Sequence, residues 1–244
     1  MRNLKVYMAY RGTKYHGFQR QNNALTIQEV VEKALSRVLD TPTDIYGCSR
    51  TDAGVHANKF CFSFTTQRDI RCLNLIRGVN GHLPDDISIL SCEEAQEDFH
   101  ARFSCKAKEY AYLIHNSECK NPFAADLQYQ YRRNMDIDLM KKAASHFVGT
   151  HDFKSFCSAH NEKQDTVRTI YNLDIEKRDD FVKVLVKGDG FLYNMVRIIV
   201  GTLLSVNEGK IDQAQIPEIM NASDRQFAGK TAQAHGLYLN RVFY

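Results

Sequence analysis

One order of hydrophobic periodicities runs along the chain twice, and a doubled β-α-β-β-α-β series leaves few folds open. In the first pass, Leu4, Val6 and Met8 alternate along a strand from Leu4 to Tyr10. A basic and aromatic loop, Arg11 to Arg20, follows it. Thr26 and Glu29 have the spacing of a capping box ahead of Ile27, Val30, Val31, Ala34, Leu35, Val38 and Leu39, which share a helical face. Strands near Asp44 to Cys48 and Asn58 to Thr65, a helix near Cys72 to Val79 and a strand near Ile87 to Ser91 complete the series. The second pass has a strand from Lys106 to His115 and a helix capped by Asp136 carrying Met140, Ala144, Phe147 and Val148. A hairpin of Arg168 to Glu176 with Phe181 to Lys187, turning near Asp179 and Asp180, comes next. An apolar helix from Phe191 to Val206, a short helix near Asp212 to Met220 and a strand from Leu237 to Phe243 end it. The expected fold is α+β: two ferredoxin-like (RRM-like) halves, residues 1–100 and 101–244, sharing a merged, mainly antiparallel sheet. Helices are expected on one side of that sheet and the active-site cleft on the other.

Composition narrows the class. With 43% hydrophobic and 25% charged residues the chain reads as a soluble globular protein. No apolar run reaches the length of a membrane span, and the first residues enter a strand pattern directly, without signal-peptide character. The seven cysteines are scattered and lack a C-x-x-C pair. That predicts reduced thiols in a cytoplasmic protein, without a disulfide framework or a metal site. A net charge of +3 permits an RNA partner but does not establish one.

Chemistry concentrates in Cys48 to Ala57, where an Arg, a hydroxyl, a carboxylate and an imidazole (Arg50, Thr51, Asp52, His56) crowd a turn containing Gly54. By residue type alone Asp52 reads equally as an Asp-turn between strands, Arg50 as a surface cation and His56 as a loop histidine. The string R-T-D-A-G-V-H-A, however, resembles the active-site motif of the TruA family of tRNA pseudouridine synthases. Y-H-G-F-Q-R-Q (Tyr15 to Gln21), F-H-A-R-F-S (Phe99 to Ser104) with Tyr110-Ala111-Tyr112, G-T-H-D-F-K-S-F (Gly149 to Phe156), M-V-R-I-I-V-G (Met195 to Gly201) and G-L-Y-L (Gly236 to Leu239) match its other segments in order. Cys48-Ser49 stands where the family usually has a small residue and glycine; Ser49 keeps the turn small.

The resemblance implies isomerisation of uridine to pseudouridine, with the C1′–N1 bond broken, the base turned and a C1′–C5 bond made. Nothing is oxidised or transferred between molecules, so neither cofactor nor metal is expected. Asp52 is the implied catalytic group, attacking C1′, adding to the uracil ring, or acting as a base at the sugar. Arg197 is implied as its ion-pair partner, because a closed site would otherwise raise the carboxylate's pKa. Arg50 is implied to enter the RNA stack or hold a phosphate, and Tyr110 to stack on uracil or handle the proton at C5. Leu237 is implied as an apolar wall against the base, with core packing as its other reading. His56 joins the substrate-binding group. The expected RNA surface comprises Lys14, His16, Arg20, Gln21, Lys154 and Arg168, with Arg11, Lys59 and His151 nearby. The family implies a tRNA partner bound at the anticodon stem-loop, and a homodimer. Two rivals are a noncatalytic RRM-like RNA-binding protein and a carboxylate-dependent glycoside or nucleoside hydrolase. The first leaves Asp52 unexplained and the second lacks a further acid in the Arg50 to Ala57 motif. A synthase acting on another RNA is the remaining alternative.

Overall fold

The computed structural model describes residues 1–158 and 165–244, and the chain divides into two compact units. Met1–Lys106 with Tyr238–Tyr244 form the first, and Ala107–Leu237 the second. In the first unit, β1 (Arg2–Tyr10) alternates buried and half-exposed residues. Helix α1 (Ile27–Leu39) follows, then β2 (Tyr46–Gly47), β3 (His56–Thr66), α2 (Cys72–Asn80) and β4 (Ile87–Ala95). Strand β1 lies between antiparallel β3 and β4, the split β-α-β pattern expected. Leu4, Val6 and Met8 sit opposite Phe64, Phe62 and Phe60, and all six are sealed from solvent. Each such side chain contributes about 1.5–3 kcal/mol of burial. Helix α1 turns Ile27, Val31, Ala34, Leu35 and Leu39 inward and packs beside α2. The Thr26 hydroxyl accepts from Glu29 N, as the capping box requires, but the Glu29 carboxylate turns to Lys33 instead of back to Thr26. Half of the expected box is present.

The second unit holds β5 (Ala107–Asn116), β6 (Tyr129–Tyr131), α3 (Ile137–Ser145), β7 (Gly149–Asp152), β8 (Val167–Arg178), β9 (Phe181–Gly188), α4 (Met195–Asn207) and α5 (Ile216–Asn221). Antiparallel pairing runs β5-β9-β8-β7, with β6 parallel to β5. The Asp136 carboxylate caps α3 by accepting from Leu139 N at 2.9 Å. The helix stops before Phe147 and Val148, which the sequence pattern had included. Asp179 and Asp180 form the two-residue β8–β9 turn, Asp179 with φ +52°. Helix α4 starts at Met195 rather than Phe191, because Asn194 is left-handed at φ +60°. The segment expected as one short helix is a 3-10 turn, Gln213–Gln215, running into α5.

Strand β10 (Leu237–Phe243) carries the chain back into the first unit. Tyr238 and Leu239 pair in parallel with His56 and Ala57 of β3. Tyr244 donates its hydroxyl to Ala101 O at 2.8 Å, and Phe243 O accepts from Lys106 N at 2.8 Å. The ammonium of Lys5 lies 4.8 Å from the centre of the Tyr244 ring.

Candidate active site

Two loops of the first unit are woven into one object around Asp52. One follows β1 and contains residues 11–26; the other joins β2 to β3 and contains residues 48–55. Phe18 N donates to Thr51 O at 3.1 Å, and Gly54 N to Tyr15 O at 3.3 Å. The Tyr10 hydroxyl meets Thr51 Oγ1 at 2.8 Å in the buried floor. Val55 N closes the turn on Asp52 O at 3.1 Å, and Gly54 takes φ +76° as its place in the turn demands. The approach is so close that a Cβ on Gly17, itself at φ +87°, would lie 2.6 Å from Thr51 O. A Cβ on Gly12 would lie 1.9 Å from Val55 O. These contacts fix the backbone on both sides of Asp52 while its side chain remains partly open to solvent. A carboxylate presented this way is positioned for attack or proton abstraction without a rearrangement of its loop.

The histidine of the motif has a different place from the one expected. His56 was expected against substrate at the RNA surface, but its side chain is fully buried. Nδ1 accepts from Gly12 N at 3.0 Å, and the ring stacks on Tyr238 with centroids 4.6 Å apart. It therefore ties the two loops to β10 and presents no side-chain surface to solvent. Tyr10, Tyr15 and Asp86 brace these loops through side-chain hydrogen bonds, and none of the three has a role of its own in the sequence reading. The Tyr15 hydroxyl donates to Asp86 Oδ1 at 2.6 Å, and burial together with that acceptor pushes its pKa up. No short-range pattern marks the pair, since 71 residues separate them. Arg50 is exposed, two residues ahead of Asp52.

Of the remaining expected residues on this unit, Lys14, His16, Arg20 and Gln21 are exposed. Arg20 is also ion-paired to the buried Glu32, which leaves less of its charge for a phosphate. Lys14 Nζ is 3.7 Å from Asp86, and the Gln21 amide donates to His16 O at 2.9 Å. Lys59 is exposed and lies 4.9 Å from the Tyr7 ring centre.

The second unit holds Tyr110, Arg197 and Leu237, together with Lys154 and Arg168. Nearly every side chain of α4 is buried, and Arg197 is its one ionised residue. Nε donates to Ala232 O at 2.7 Å and Nη1 to Asn194 Oδ1 at 2.7 Å, so the guanidinium plane is set by its own unit. Tyr110 is buried edge-on to Phe191, with ring centroids 5.1 Å apart. The Tyr112 hydroxyl donates to Gln233 O at 2.8 Å, holding the segment that leads to buried Leu237. Lys154 is exposed, whereas Arg168 is largely covered, donates to Val167 O and lies 3.9 Å from Asp165. Among the described residues, no three His, Cys, Asp or Glu side chains converge as a set able to hold a metal ion.

Comparison with known proteins places this geometry in a family. Residues 6–104 and 143–244 match a family model described as tRNA pseudouridine synthase. A protein of Acetivibrio thermocellus named tRNA pseudouridine synthase A is 45% identical over 244 residues, covering all of both chains. Its namesake in Brevibacillus brevis is 46% identical over 248 residues, again covering both chains fully. The one in Clostridium acetobutylicum is 43% identical over the full length of both.

Proposed function

From the premise that this chain belongs to the tRNA pseudouridine synthase family, we propose that it isomerises uridine in the anticodon arm of tRNA, with Asp52 as the catalytic carboxylate. The reaction exchanges the C1′–N1 bond for a C1′–C5 bond; N1 gains a proton and C5 loses one, so product and substrate are isomers. The observation that supports the reading is the interlocked pair of loops whose backbone hydrogen bonds and close glycine contacts flank Asp52. Asp52 acts as nucleophile or base, and a charged oxygen serves either role. By its place in the matched motif, Arg197 is read as the partner that keeps Asp52 ionised. Tyr110 is read as the group that stacks on uracil or handles the C5 proton, Leu237 as an apolar wall, and Arg50 as the guanidinium that seats the nucleotide.

Lys14, His16, Gln21 and Lys154 are read as contacts to the RNA backbone, with Arg20 and Arg168 weaker contributors because of their internal partners. The working form is read as a homodimer in the cytoplasm, which doubles the positive charge offered to one tRNA. No helix among the described residues is long and apolar enough to cross a membrane.

Asp52→Asn tests the reading. Single-turnover assays on tRNA, with pseudouridine mapped by carbodiimide adducts, should show at least a thousandfold loss while tRNA binding stays within about threefold of wild type, an expectation for removal of an essential nucleophile or base. Turnover within tenfold of wild type overturns the role of Asp52. Wild-type protein that binds tRNA and makes no pseudouridine would be the RRM-like binder instead. Pseudouridine confined to another RNA would move the substrate and leave the reaction standing.

A further inference from the structure

Beside the Asp52 turn the first unit carries a groove of about 330 Å³, within the size range of small-ligand sites. Its walls include Tyr46, Arg50, His100, Arg102 and Phe103, and no acidic side chain lines it. The three rings form a ladder: Tyr46 to His100 at 5.1 Å between centroids, and His100 to Phe103 at 4.4 Å. Phe103 is 78% exposed and Tyr46 55%, so two large apolar faces stand in water on either side of the imidazole. The Arg102 guanidinium lies 5.8 Å from the Phe103 ring centre.

Exposed rings on a floppy loop would mean little, but this loop is built. Ser104 N donates to His100 O at 2.9 Å, and His100 N to Ser104 Oγ at 3.1 Å. His100 Nδ1 accepts from Arg102 N at 3.1 Å. Between them Ala101 is fully buried, its N–H donating to Ser63 Oγ of β3 at 3.1 Å and its carbonyl accepting from Tyr244. A segment with three internal hydrogen bonds and two to Ser63 and Tyr244 holds out a phenylalanine that stays largely in solvent. Such preorganised aromatic faces flanked by guanidinium groups are what an unpaired nucleobase and its phosphates require.

We propose that this groove is a stacking site for an unpaired base of the substrate RNA lying within a nucleotide or two of the target uridine. The base stacks on the Phe103–His100–Tyr46 ladder, while Arg102 and Arg50 take flanking phosphates. The short distance follows from the chain: Arg50 and Asp52 are two residues apart, so their Cα atoms are separated by at most about 7 Å. A second rigid grip so close to the carboxylate would add affinity for the strand on one side of the target nucleotide. The proposal rests on the reading that the chain acts on RNA, and it adds residues for which the motif resemblance specified no role.

The test uses full-length tRNA carrying single 2-aminopurine substitutions at unpaired positions around the target uridine, with the Asp52→Asn protein so that chemistry does not intervene. One position should lose fluorescence on binding, the mark of stacking on an aromatic ring. Phe103→Ala should abolish that quench and Phe103→Tyr should keep it. In otherwise wild-type protein, Phe103→Ala should raise KM for tRNA on the order of tenfold, with kcat within twofold and an unchanged thermal melt. Quenching and KM like wild type in Phe103→Ala overturn the proposal. So does a Phe103→Ala protein whose mass in solution changes while its tRNA quench does not, since the face would then join two copies of the chain. Failure of wild-type protein to make pseudouridine would count against the catalytic reading alone, because the quench is read in a protein that performs no chemistry.

Discussion

His56 carries three jobs in one ring: it accepts the Gly12 N–H, lies flat on Tyr238 and fills a space closed to water. His56→Leu removes the acceptor and leaves a buried N–H unmatched, which costs about 1–3 kcal/mol. Urea unfolding should show that loss, and kcat should fall as the two loops loosen. The dependence of tRNA binding on salt should stay as in wild type, because no phosphate contact is lost; a shallower slope would return His56 to the RNA surface. Gly17 gives a sharper test of the same interlock. Gly17→Ala combines a left-handed backbone with a contact of 2.6 Å to Thr51 O, so the chain must shift next to Asp52. Its kcat should drop at least tenfold, whereas Gly209→Ala should destabilise without touching kcat; Gly209 is also left-handed, at φ +69°, but no neighbouring atom lies within 4 Å of its Cβ position. Equal kcat in the two variants would show that the loop contact has no part in catalysis.

Helix α4 ends in a network that makes one acid part of the fold's response to pH. Lys210 hydrogen-bonds the Glu208 carboxylate, and with Arg133 at 3.4 Å it holds that carboxyl below the usual range. A lowered folded-state pKa means stability fully present above the unfolded value, about 4.3, and lost as pH falls through the folded value. Glu208→Gln should therefore unfold at lower urea than wild type near pH 7, and the two curves should converge as pH falls through the carboxyl's lowered folded-state value. A gap that stays constant across that range would remove the charge from the explanation. The legibility of these elements in the sequence follows their physics. Helix α1 and strand β3 announce themselves because one face is repeatedly apolar, over three turns in α1 and at Phe60, Phe62 and Phe64 in β3. Strands β6 and β7 are three and four residues long, too short for any period to show, and exist because longer neighbours offer them hydrogen bonds. The start of α4 was misplaced because Phe191 and Leu192 extend its apolar pattern, while the Asn194 backbone and its bond to Arg197 interrupt the helix. The turn that holds Asp52 could be located from its local string. The burial of His56 could not, since its partners Gly12 and Tyr238 are distant in the chain.

At the scale of the molecule, the first unit is assembled from two distant stretches of chain. Residues 1–106 lack β10, and with it the ring stacked on His56 and the hydroxyl that holds Ala101. A fragment of residues 1–106 should be poorly folded by circular dichroism and amide exchange, and joining residues 238–244 to it through a short linker should restore cooperative melting. A fragment that melts as sharply without the added strand would show that β10 is dispensable. The same arrangement sets a schedule for the protein's birth. About 130 residues of the second unit are translated between the two stretches, on the order of ten seconds at typical synthesis rates. Throughout that interval the Asp52 turn exists as polypeptide but lacks the strand that seals His56. The packing around the Asp52 turn is thus completed only after β10 has been made, so a chain still lacking that strand carries an unassembled loop.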